Sequence, residues 1–485
     1  MTLLFLDGFD SYTNPSDATA GKWSSGNISQ VVTGRLADFG AISNSLGRPF
    51  AAASTIFIGA AVQVTSYSVF GFDVFNFYDS LQNLQIKLAV DSFGRLLVYR
   101  GGSTLIGFSS TFIPLNTWHY LEFSVHVGTG TSGAYIVRIN NQIVLQNTGC
   151  DTQDTADTTV SAVKIGGNNN VTYDDLYITN SSGSINNGFM GDMRIETLYP
   201  SADVSVDLTP INAMGNSNLN ASTGNLTLVP ADRLYVFRVY CQTNGTVPDG
   251  LINFESTNLT AKTKMVIYSD STDTLGTLIT NGVSDEVVGA IANVITTYTF
   301  STPPTLTAGT YYWIGIITDS LVWIYQNPYT AGKGTSALVA NTYTSGAPST
   351  PTVSSYGVES PQIAVQILGG TNWSAVNETQ EDAEYSYIYS NTPGDNDLYQ
   401  FEDLTADVQS VYGIQVSPML RKTHTANRTA TVQIQTPTMG TANSSTLAPG
   451  INFTYMPTIF EHQSDGTTTW TVSAVNGLEA GITVG

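Results

Sequence analysis

The chain has 485 residues, of which 41% are hydrophobic and only 11% are charged, and its formal net charge is −21. A chain of this length provides for about three domains, each large enough to bury its own core. The excess of acidic side chains argues against nucleic acid and anionic membranes as partners, because both carry negative charge and would repel the protein.

The composition favours β-structure. Aromatic area comes mainly from 25 Tyr and 20 Phe residues, while Thr, Ser, Asn and Gly take the places that Lys and Glu fill in many cytosolic enzymes. This balance is typical of all-β proteins that face outward. The two cysteines, Cys150 and Cys241, fall in different predicted domains, so we expect no disulfide framework. We therefore predict an all-β fold of three β-sandwich or jelly-roll domains.

The N-terminal segment carries no targeting signal that we recognise. It has no basic region, and its apolar run Leu3 to Leu6 is too short for a signal peptide. Other apolar stretches, such as Tyr311 to Ile317, are far shorter than the roughly 20 residues that span a bilayer. We therefore expect a protein that is made in a cytoplasm and is not inserted in a membrane. An outward-facing composition without an export signal favours a virion component, which leaves the cell by lysis.

Residues 1–200 form the first predicted domain. Ile86 and Leu88 share one face of a predicted strand, as a two-residue period requires, and Asn140-Asn141 predicts a tight hairpin turn. The succession GRLLVYRGG, NTWHYLEFSVHV, GAYIVRINNQIVL and YDDLYI resembles the strand order of laminin-G and other concanavalin A-like sandwiches. The resemblance implies a concanavalin A-like fold for this domain.

The segment YDDLYITNSSGSINNGFMGDMRIETLYP, residues 173–200, closes the first domain. Alternation along its first strand predicts that Tyr173, Asp175 and Tyr177 share one face and that Asp174 lies on the other. Taken whole, the segment resembles one that ends a concanavalin A-like sandwich in bacteriophage virion proteins. The resemblance implies a tail or minor structural protein of a phage particle.

Residues 201–369 form the second predicted domain, which we interpret as an insertion. Its β-rich runs LYVFRVYCQT, KTKMVIYSDS, TTYTF, GTYYWIGIIT and LVWIYQN are bounded by Gly, Pro, Asn and Asp, which is typical of a jelly roll or similar sandwich. The segments MVIYSDSTDTLGTLI and TPPTLTAGTYYWIGI together resemble carbohydrate-binding-like jelly rolls. The resemblance implies an accessory module that binds carbohydrate.

Residues 370–485 form the third predicted domain, a β-sandwich that begins after a hinge at Gly369-Gly370. The segments NWSAVNE, SNTPGDNDLYQFEDL and WTVSAVNGLEAGITV resemble the same phage virion family, in which an ETLYP-like segment leads almost directly into an NW-like segment. We expect helix only as a short turn near Ser473 to Leu478 or Glu381 to Tyr385.

The sequence shows no motif of hydrolytic chemistry. Glycosidases need two carboxylates beside one bond, but the strand motif Glu-x-Asp-x-x-Glu does not occur, and Glu122 and Glu196 stand alone on their predicted strands. The Gly-x-Ser-x-Gly motif is also missing. His119 and His126 are separated by an odd number of positions on one strand, so we expect them on opposite faces. We therefore expect a protein that is not an enzyme.

Calcium is the one ion that the sequence leaves open, since it takes only oxygen ligands and binds in Asp-rich loops. One candidate loop carries Asp151, Asp154 and Asp157, and another carries Asp395, Asn396 and Asp397. Neither follows the EF-hand spacing, and exposed acidic turns are the alternative interpretation of both. We expect no cofactor beyond this candidate calcium ion.

Four aromatic residues of the inserted domain are the candidate carbohydrate-binding residues: Trp313, Trp323, Tyr325 and Tyr329. Sugar rings present C–H faces that stack on Trp and Tyr. The alternative is that the strand residues among them pack in the sandwich core, because the residues between them are apolar as well. Tyr329 follows Pro328 in a predicted loop, where exposure is expected.

We therefore expect a non-enzymatic bacteriophage virion structural protein, tail-associated or fibre-like, that presents a glycan-binding surface to the host. A capsid decoration or cement protein is the first alternative, and a surface-polysaccharide depolymerase is the second. We expect it to reside in the virion, with other virion proteins and further copies of itself as partners, as in a homotrimer.

Overall fold

A computed structural model describes residues 2–10, 12, 22–35, 39–166, 170–215, 225–326, 336–377, 386–423, 427–437 and 439–485, except for the side chains of 26–29, 39–45 and 225. The chain divides into two compact units. Unit one comprises Met1–Val204, Thr379–Glu381 and Thr392–Gly485, and unit two comprises Ser205–Glu378 and Asp382–Asn391. The predicted third domain is thus shared between the two units, and its independent folding stays a prediction.

Unit one begins with a large antiparallel sheet. Its strands are β1 (Leu3–Asp7), β2 (Ser25–Thr33), β3 (Phe39–Ala53), β4 (Thr55–Val64), β5 (Phe72–Tyr78), β6 (Leu84–Val90), β7 (Arg95–Arg100), β8 (Thr104–Phe112), β9 (Trp118–His126), β10 (Gly133–Ile139), β11 (Gln142–Cys150), β12 (Val160–Ile165) and β13 (Val171–Asn180). They are ordered β11-β10-β9-β4-β13-β3-β12-β5-β6-β7-β8, with β1 beside β13 and β2 beside β3. A further strand, β14 (Pro200–Val206), follows in the chain.

Alternating apolar residues build the main core of this sheet. Every second residue of β10, from Gly133 to Ile139, is buried, as expected for a strand with one face directed inward. Phe77 and Phe123 are completely buried, and their rings stack with centroids 5.5 Å apart. Aromatic pairs of this kind add to the free energy gained by burying apolar area.

Strand β13 departs from the alternation that its sequence predicts. Its pairing with β4 is bulged between Asp174 and Tyr177, and Asp175 has a φ of 50°. Tyr173 consequently packs in the main core, whereas Tyr177 stacks on Tyr120 in a separate cluster. The predicted common face of Tyr173, Asp175 and Tyr177 is wrong, because the extra residues of a bulge change the direction of the side chains that follow.

Unit two is built from short strands. They are β15 (Thr209–Gly215), β16 (Asn225–Val229), β17 (Arg233–Cys241), β18 (Gly245–Thr246), β19 (Asp249–Asn253), β20 (Asn258–Asp270), β21 (Leu275–Val283), β22 (Val287–Ala290), β23 (Ile295–Thr299), β24 (Thr305–Leu306), β25 (Thr310–Thr318), β26 (Val322–Gln326), β27 (Ser336–Ala340), β28 (Val353–Gly357), β29 (Ile363–Leu368) and β30 (Tyr387–Tyr389). Single 3₁₀ turns lie at Tyr343–Ser345 and Trp373–Ala375.

Two main sheets form the sandwich of unit two. One has the order β23-β19-β29-β15-β30, and the other has the order β21-β20-β25-β17-β27-β28. Ile252 and Val365 of the first sheet are buried in one cluster with Phe237 and Ile314 of the second. This shared apolar cluster is the core that holds the two sheets face to face.

The first and last strands of unit two pair with each other. In the antiparallel pair β15 and β30, Thr209 lies opposite Tyr389 and Ile211 lies opposite Tyr387. The chain therefore enters and leaves unit two at neighbouring positions, as inserted domains usually do.

The C-terminal part of unit one contributes β31 (Asn396–Phe401), β32 (Ile414–Val416), β33 (Met419–Leu420), β34 (Ala430–Thr436), β35 (Gly440–Asn443), β36 (Thr454–Tyr455), β37 (Thr458–Phe460), α1 (Val472–Asn476) and β38 (Glu479–Val484). β14 joins these strands in a sheet of order β14-β31-β38-β34-β35. The Glu461 carboxylate accepts hydrogen bonds from the backbone N–H groups of Thr2 (2.8 Å) and Leu3 (2.9 Å). The start of β1 is thus bonded to the segment that follows β37 within unit one.

The all-β prediction is confirmed: the described residues form several sandwich sheets and very little helix. The helix α1 lies where a short helical turn was predicted, and the Thr471 hydroxyl caps it by accepting a hydrogen bond from the N–H of Ala474. The other predicted turn, Glu381 to Tyr385, lies outside the described residues. Within the part of the chain that the structure describes, no helix is both long enough and apolar enough to cross a membrane.

Candidate functional site

A cleft of about 770 Å³ in unit two is the candidate functional site. Its described lining comes from β15, the end of β17, the loop after β17, the turn before β25, and the segment from Gly370 to β30. These residues are Asn212, Ala213, Met214, Gly215, Tyr240, Gln242, Thr243, Asn244, Ala308, Gly370, Thr371, Trp373, Ser374, Asn377 and Ser386. The cleft therefore combines two aromatic rings with several amides and hydroxyls.

Hydrogen bonds hold one wall of the cleft in place. The Asn212 side-chain amide donates to the carbonyl oxygen of Gly369 (2.6 Å), and the Ser374 hydroxyl lies 3.1 Å from the Asn212 amide oxygen. The Asn372 amide donates to the carbonyl oxygen of Leu208 (2.7 Å). These bonds tie the 3₁₀ turn that carries Trp373 to the chain around β15.

Gly370 is required for the close approach of this wall. Its φ is +92°, and a Cβ atom there would lie 2.7 Å from the Thr243 methyl and 2.8 Å from the Asn212 amide nitrogen. A larger residue would meet both backbone strain and a clash. The Gly369-Gly370 pair, predicted as a hinge, thus shapes the cleft within unit two.

The described lining of the cleft contains no Asp, Glu, His, Lys or Arg. Amide side chains offer both donors and acceptors, and hydroxyls can serve in either role. The half-buried Trp373 and the exposed Tyr240 add apolar ring faces. Such a lining suits a ligand that has hydroxyl groups and apolar C–H faces.

Of the predicted aromatic residues, Trp313, Trp323 and Tyr325 are described, and none of these three lines the cleft. Trp313 is completely buried, and its indole N–H donates to the Asp270 carboxylate (2.8 Å). Tyr325 is also buried, and its hydroxyl donates to the Asn293 amide oxygen (2.8 Å). In this structure neither ring is free to stack on a ligand, because strand neighbours cover both.

For the other two candidate aromatics, Trp323 and Tyr329, carbohydrate binding stays a prediction. Trp323 is half-buried on β26, opposite Leu228 of β16. Tyr329 lies outside the described residues.

Sequence reasoning missed Trp373 and Tyr240 as site residues. The signal for Trp373 was a Gly-Gly pair followed at once by Thr-Asn-Trp, and the signal for Tyr240 was its place at the end of a strand. Glycine pairs permit close backbone approach, and aromatics at strand ends often remain exposed. Neither signal shows that the two segments meet.

The structure does not bring the three candidate calcium ligands together. Asp151 and Asp154 both pair with Arg100, whereas Asp157 accepts hydrogen bonds from Ser80 (2.9 Å) and Thr159 (2.7 Å). One guanidinium cation at the first two carboxylates already offsets half of the negative charge that would attract an ion. Among the described residues, no group of three or more His, Cys, Asp or Glu side chains is placed to hold a metal.

The second candidate loop is occupied by contacts within unit one. The Asn396 amide donates to the Gln433 oxygen (2.9 Å), and the Asp397 carboxylate accepts a hydrogen bond from the Tyr399 hydroxyl (2.9 Å). The Asn396 bond therefore links β31 to β34 across the sheet, and the Asp397 bond lies within β31.

Glu122, predicted to stand alone on its strand, belongs to a buried cluster in unit one. Its carboxylate accepts hydrogen bonds from the Tyr177 hydroxyl (2.5 Å) and the N–H of Gly191 (2.9 Å), and it lies 4.0 Å from the Arg138 guanidinium. Burial, together with the negative charge of Glu122, raises the pKa of Tyr177 well above its ordinary value. Glu122 is completely buried. Its bond to the N–H of Gly191 attaches the segment around Gly191 to β9.

The strand histidines make local hydrogen-bonding contacts. His119 Nδ1 lies 3.3 Å from the Asn140 amide, and His126 Nδ1 lies 2.8 Å from the Thr55 hydroxyl. Burial lowers the pKa of His119.

No known protein family and no curated protein matches the chain. Parts of it are similar to solved structures. One is an endo-β-1,4-glucuronan lyase from the fungus Trichoderma reesei, at 10% identity over 32% of this chain and 90% of that chain, with a TM-score of 0.24. Another is a carbohydrate-binding module from Bacillus subtilis, at 11% identity over 33% of this chain and 94% of that chain, with a TM-score of 0.24.

A third similar structure is a sialidase from Trypanosoma rangeli, at 12% identity over 32% of this chain, with a TM-score of 0.25. The match spans 26% of the sialidase, about a quarter of its length. The lyase and the sialidase are enzymes, so the expectation that this protein is not an enzyme is contradicted, and we withdraw it. The missing motifs concern particular hydrolase sites and do not exclude other enzymes.

Proposed function

We propose that the protein binds a glycan in the cleft of unit two. The observation that carries the proposal is the placement of Trp373 and Tyr240 beside the amides of Gln242, Asn244 and Asn377 around one cleft. Aromatic faces stack on the C–H face of a sugar, and amides hydrogen-bond its hydroxyls in both directions.

We propose further that this binding serves attachment of a bacteriophage particle to its host, with the chain as a tail-associated or fibre-like protein. The resemblance of residues 173–200 and of the segment NWSAVNE to phage virion proteins supports this role. Localising the chain in assembled particles tests it. Position at the tail is expected, and position on the capsid lattice would favour decoration instead.

The binding experiment compares the wild-type chain with Trp373→Ala and Tyr240→Ala on a glycan array and by calorimetry. Loss of a stacking side chain from a desolvated site is expected to weaken binding by about tenfold or more. Both variants should melt within a few degrees of the wild type, since Tyr240 is exposed and Trp373 is half-buried. Tyr412→Ala, at an exposed position in unit one, is the matched control and should bind normally.

Two results would overturn the proposal. One is a wild-type chain that binds no glycan on the array. The other is unchanged binding by both cleft variants.

A further inference from the structure

We infer that the ligand is an uncharged oligosaccharide that extends from the cleft onto an aromatic platform formed by Tyr240 and Tyr311. This inference rests on the proposed glycan-binding function and specifies its ligand. It follows from three features of unit two: the platform, the side chains that support it, and the charge around it.

The platform is a cross-strand pair of exposed tyrosines. Tyr240 of β17 lies opposite Tyr311 of β25. Their rings are 5.0 Å apart between centroids and inclined by 58°, and the two residues are 47% and 40% exposed. Tyr240 also lines the cleft, so the platform adjoins the cleft through this residue.

A set of charged side chains supports the Tyr311 ring of the platform. The Arg238 guanidinium lies 3.6 Å from the centroid of the Tyr311 ring. Asp270 fixes this guanidinium through two hydrogen bonds of 2.7 and 3.1 Å, and the buried Trp313 donates to the same carboxylate. A ring that is already ordered loses little conformational entropy when a ligand stacks on it.

This support distinguishes the platform from an incidental exposed tyrosine. Cation–π stacking adds attraction between Arg238 and Tyr311, and the paired hydrogen bonds set the plane of the guanidinium. Tyr311 nevertheless stays 40% exposed, so part of its ring is accessible to a sugar.

The surrounding charge selects against anionic glycans. Arg238 is the cation of the platform, and it is matched by two carboxylates, Asp270 and Asp273. The described lining of the cleft adds no cation, and the whole chain carries a formal charge of −21. A uronic or sialic acid would therefore meet repulsion, and the described lining offers it no cationic partner.

The test measures affinity as a function of ligand length. Neutral homo-oligosaccharides of the gluco, manno and galacto series, from disaccharide to hexasaccharide, are titrated into the full chain by calorimetry. Oligoglucuronate and sialyl oligosaccharides of matched length are the charged probes. The variants are Trp373→Ala, Tyr311→Ala and Tyr311→Phe, with Tyr311→Thr as a second truncation that favours the strand.

The wild type is expected to bind a neutral hexasaccharide more tightly than its disaccharide. Trp373→Ala should weaken both, whereas Tyr311→Ala and Tyr311→Thr should weaken only the hexasaccharide, by about tenfold. Tyr311→Phe keeps the ring and should bind like the wild type.

The outcomes separate this inference from the function on which it rests. Binding that depends on Trp373 but not on Tyr311 at any length overturns the extended site and leaves the glycan-binding function intact. Charged probes that bind as tightly as neutral ones overturn the ligand class. A wild-type chain that binds none of the probes overturns both proposals.

Discussion

At the scale of single residues, Asp270 connects the candidate site to the stability of unit two. Its carboxylate receives hydrogen bonds from Arg238 and from Trp313, which lie on neighbouring strands. Burial alone would raise the pKa of Asp270, but these hydrogen bonds outweigh it and hold the pKa below the ordinary value.

Acid is therefore expected to destabilise unit two through Asp270. Its folded-state pKa is depressed, so its contribution is present above the unfolded-state pKa of about 3.9 and is lost as the pH falls through the folded-state value. The melting temperature of the wild type should decrease as the pH drops below about 4. Asp270→Asn should have a lower melting temperature than the wild type at neutral pH, and its melting temperature should change less in acid. Parallel acid curves for the two proteins would contradict this prediction.

Trp313 is expected to stabilise the packing of unit two, so its replacement should lower the stability of this unit. Trp313→Ala removes a completely buried ring and should lower the free energy of unfolding by about 3–5 kcal/mol, measured by urea denaturation. Trp313→Phe, which keeps a ring but loses the bond to Asp270, should cost less. Unchanged stability with lost glycan binding would instead support the ligand-stacking role that the sequence suggested.

At the scale of elements, the pairing of β17 with β25 positions the platform. Tyr240 and Tyr311 face each other only because these strands keep their register over the whole pair. Gly315 allows the strands to approach, since a Cβ atom there would lie 1.9 Å from the carbonyl oxygen of Tyr235.

Gly315→Ala should therefore separate the two strands. The expected cost is about 1–3 kcal/mol, as for other overpacked sites, together with weaker hexasaccharide binding. Gly102→Ala, where no atom lies within 4 Å of the added Cβ, is the control and should leave the melting temperature unchanged. Equal melting temperatures for the two variants would show that the strands yield without cost.

At the scale of the whole molecule, unit two carries the complete described lining of the cleft together with its own apolar core. Its first and last strands, β15 and β30, pair with each other. Because these two strands pair, unit two needs no other part of the chain to hold its ends together.

We expect residues 205–391, expressed alone, to fold and to bind the same glycan as the full chain. Circular dichroism should show β-structure that melts cooperatively. The affinity for the glycan should stay within about threefold of the full chain's affinity, a change in binding free energy well under about 1.4 kcal/mol. The segment 201–369 is the matched comparison. It lacks β30 and Trp373, so it should melt lower and bind more weakly. Equal behaviour of both segments would place the boundary nearer Gly369.

The sequence alone was enough to predict the all-β class, the hairpin strands and the short helix near Ser473. These features depend on neighbouring residues, because alternation, turn chemistry and a capping threonine act within a few positions of the chain. The shared face of Tyr173 and Tyr177 was predicted wrongly, because the bulge in β13 arises from its pairing with other strands and not from local alternation.

Only the tertiary structure decided which aromatics are available to a ligand. The sequence pointed to Trp313 and not to Trp373, yet packing covers the first completely and leaves the second half-buried at the cleft. The cleft gathers residues from positions 212 to 386, and no local pattern records that these segments meet. Contacts between distant segments depend on how the sheets pack, and that packing determines the site.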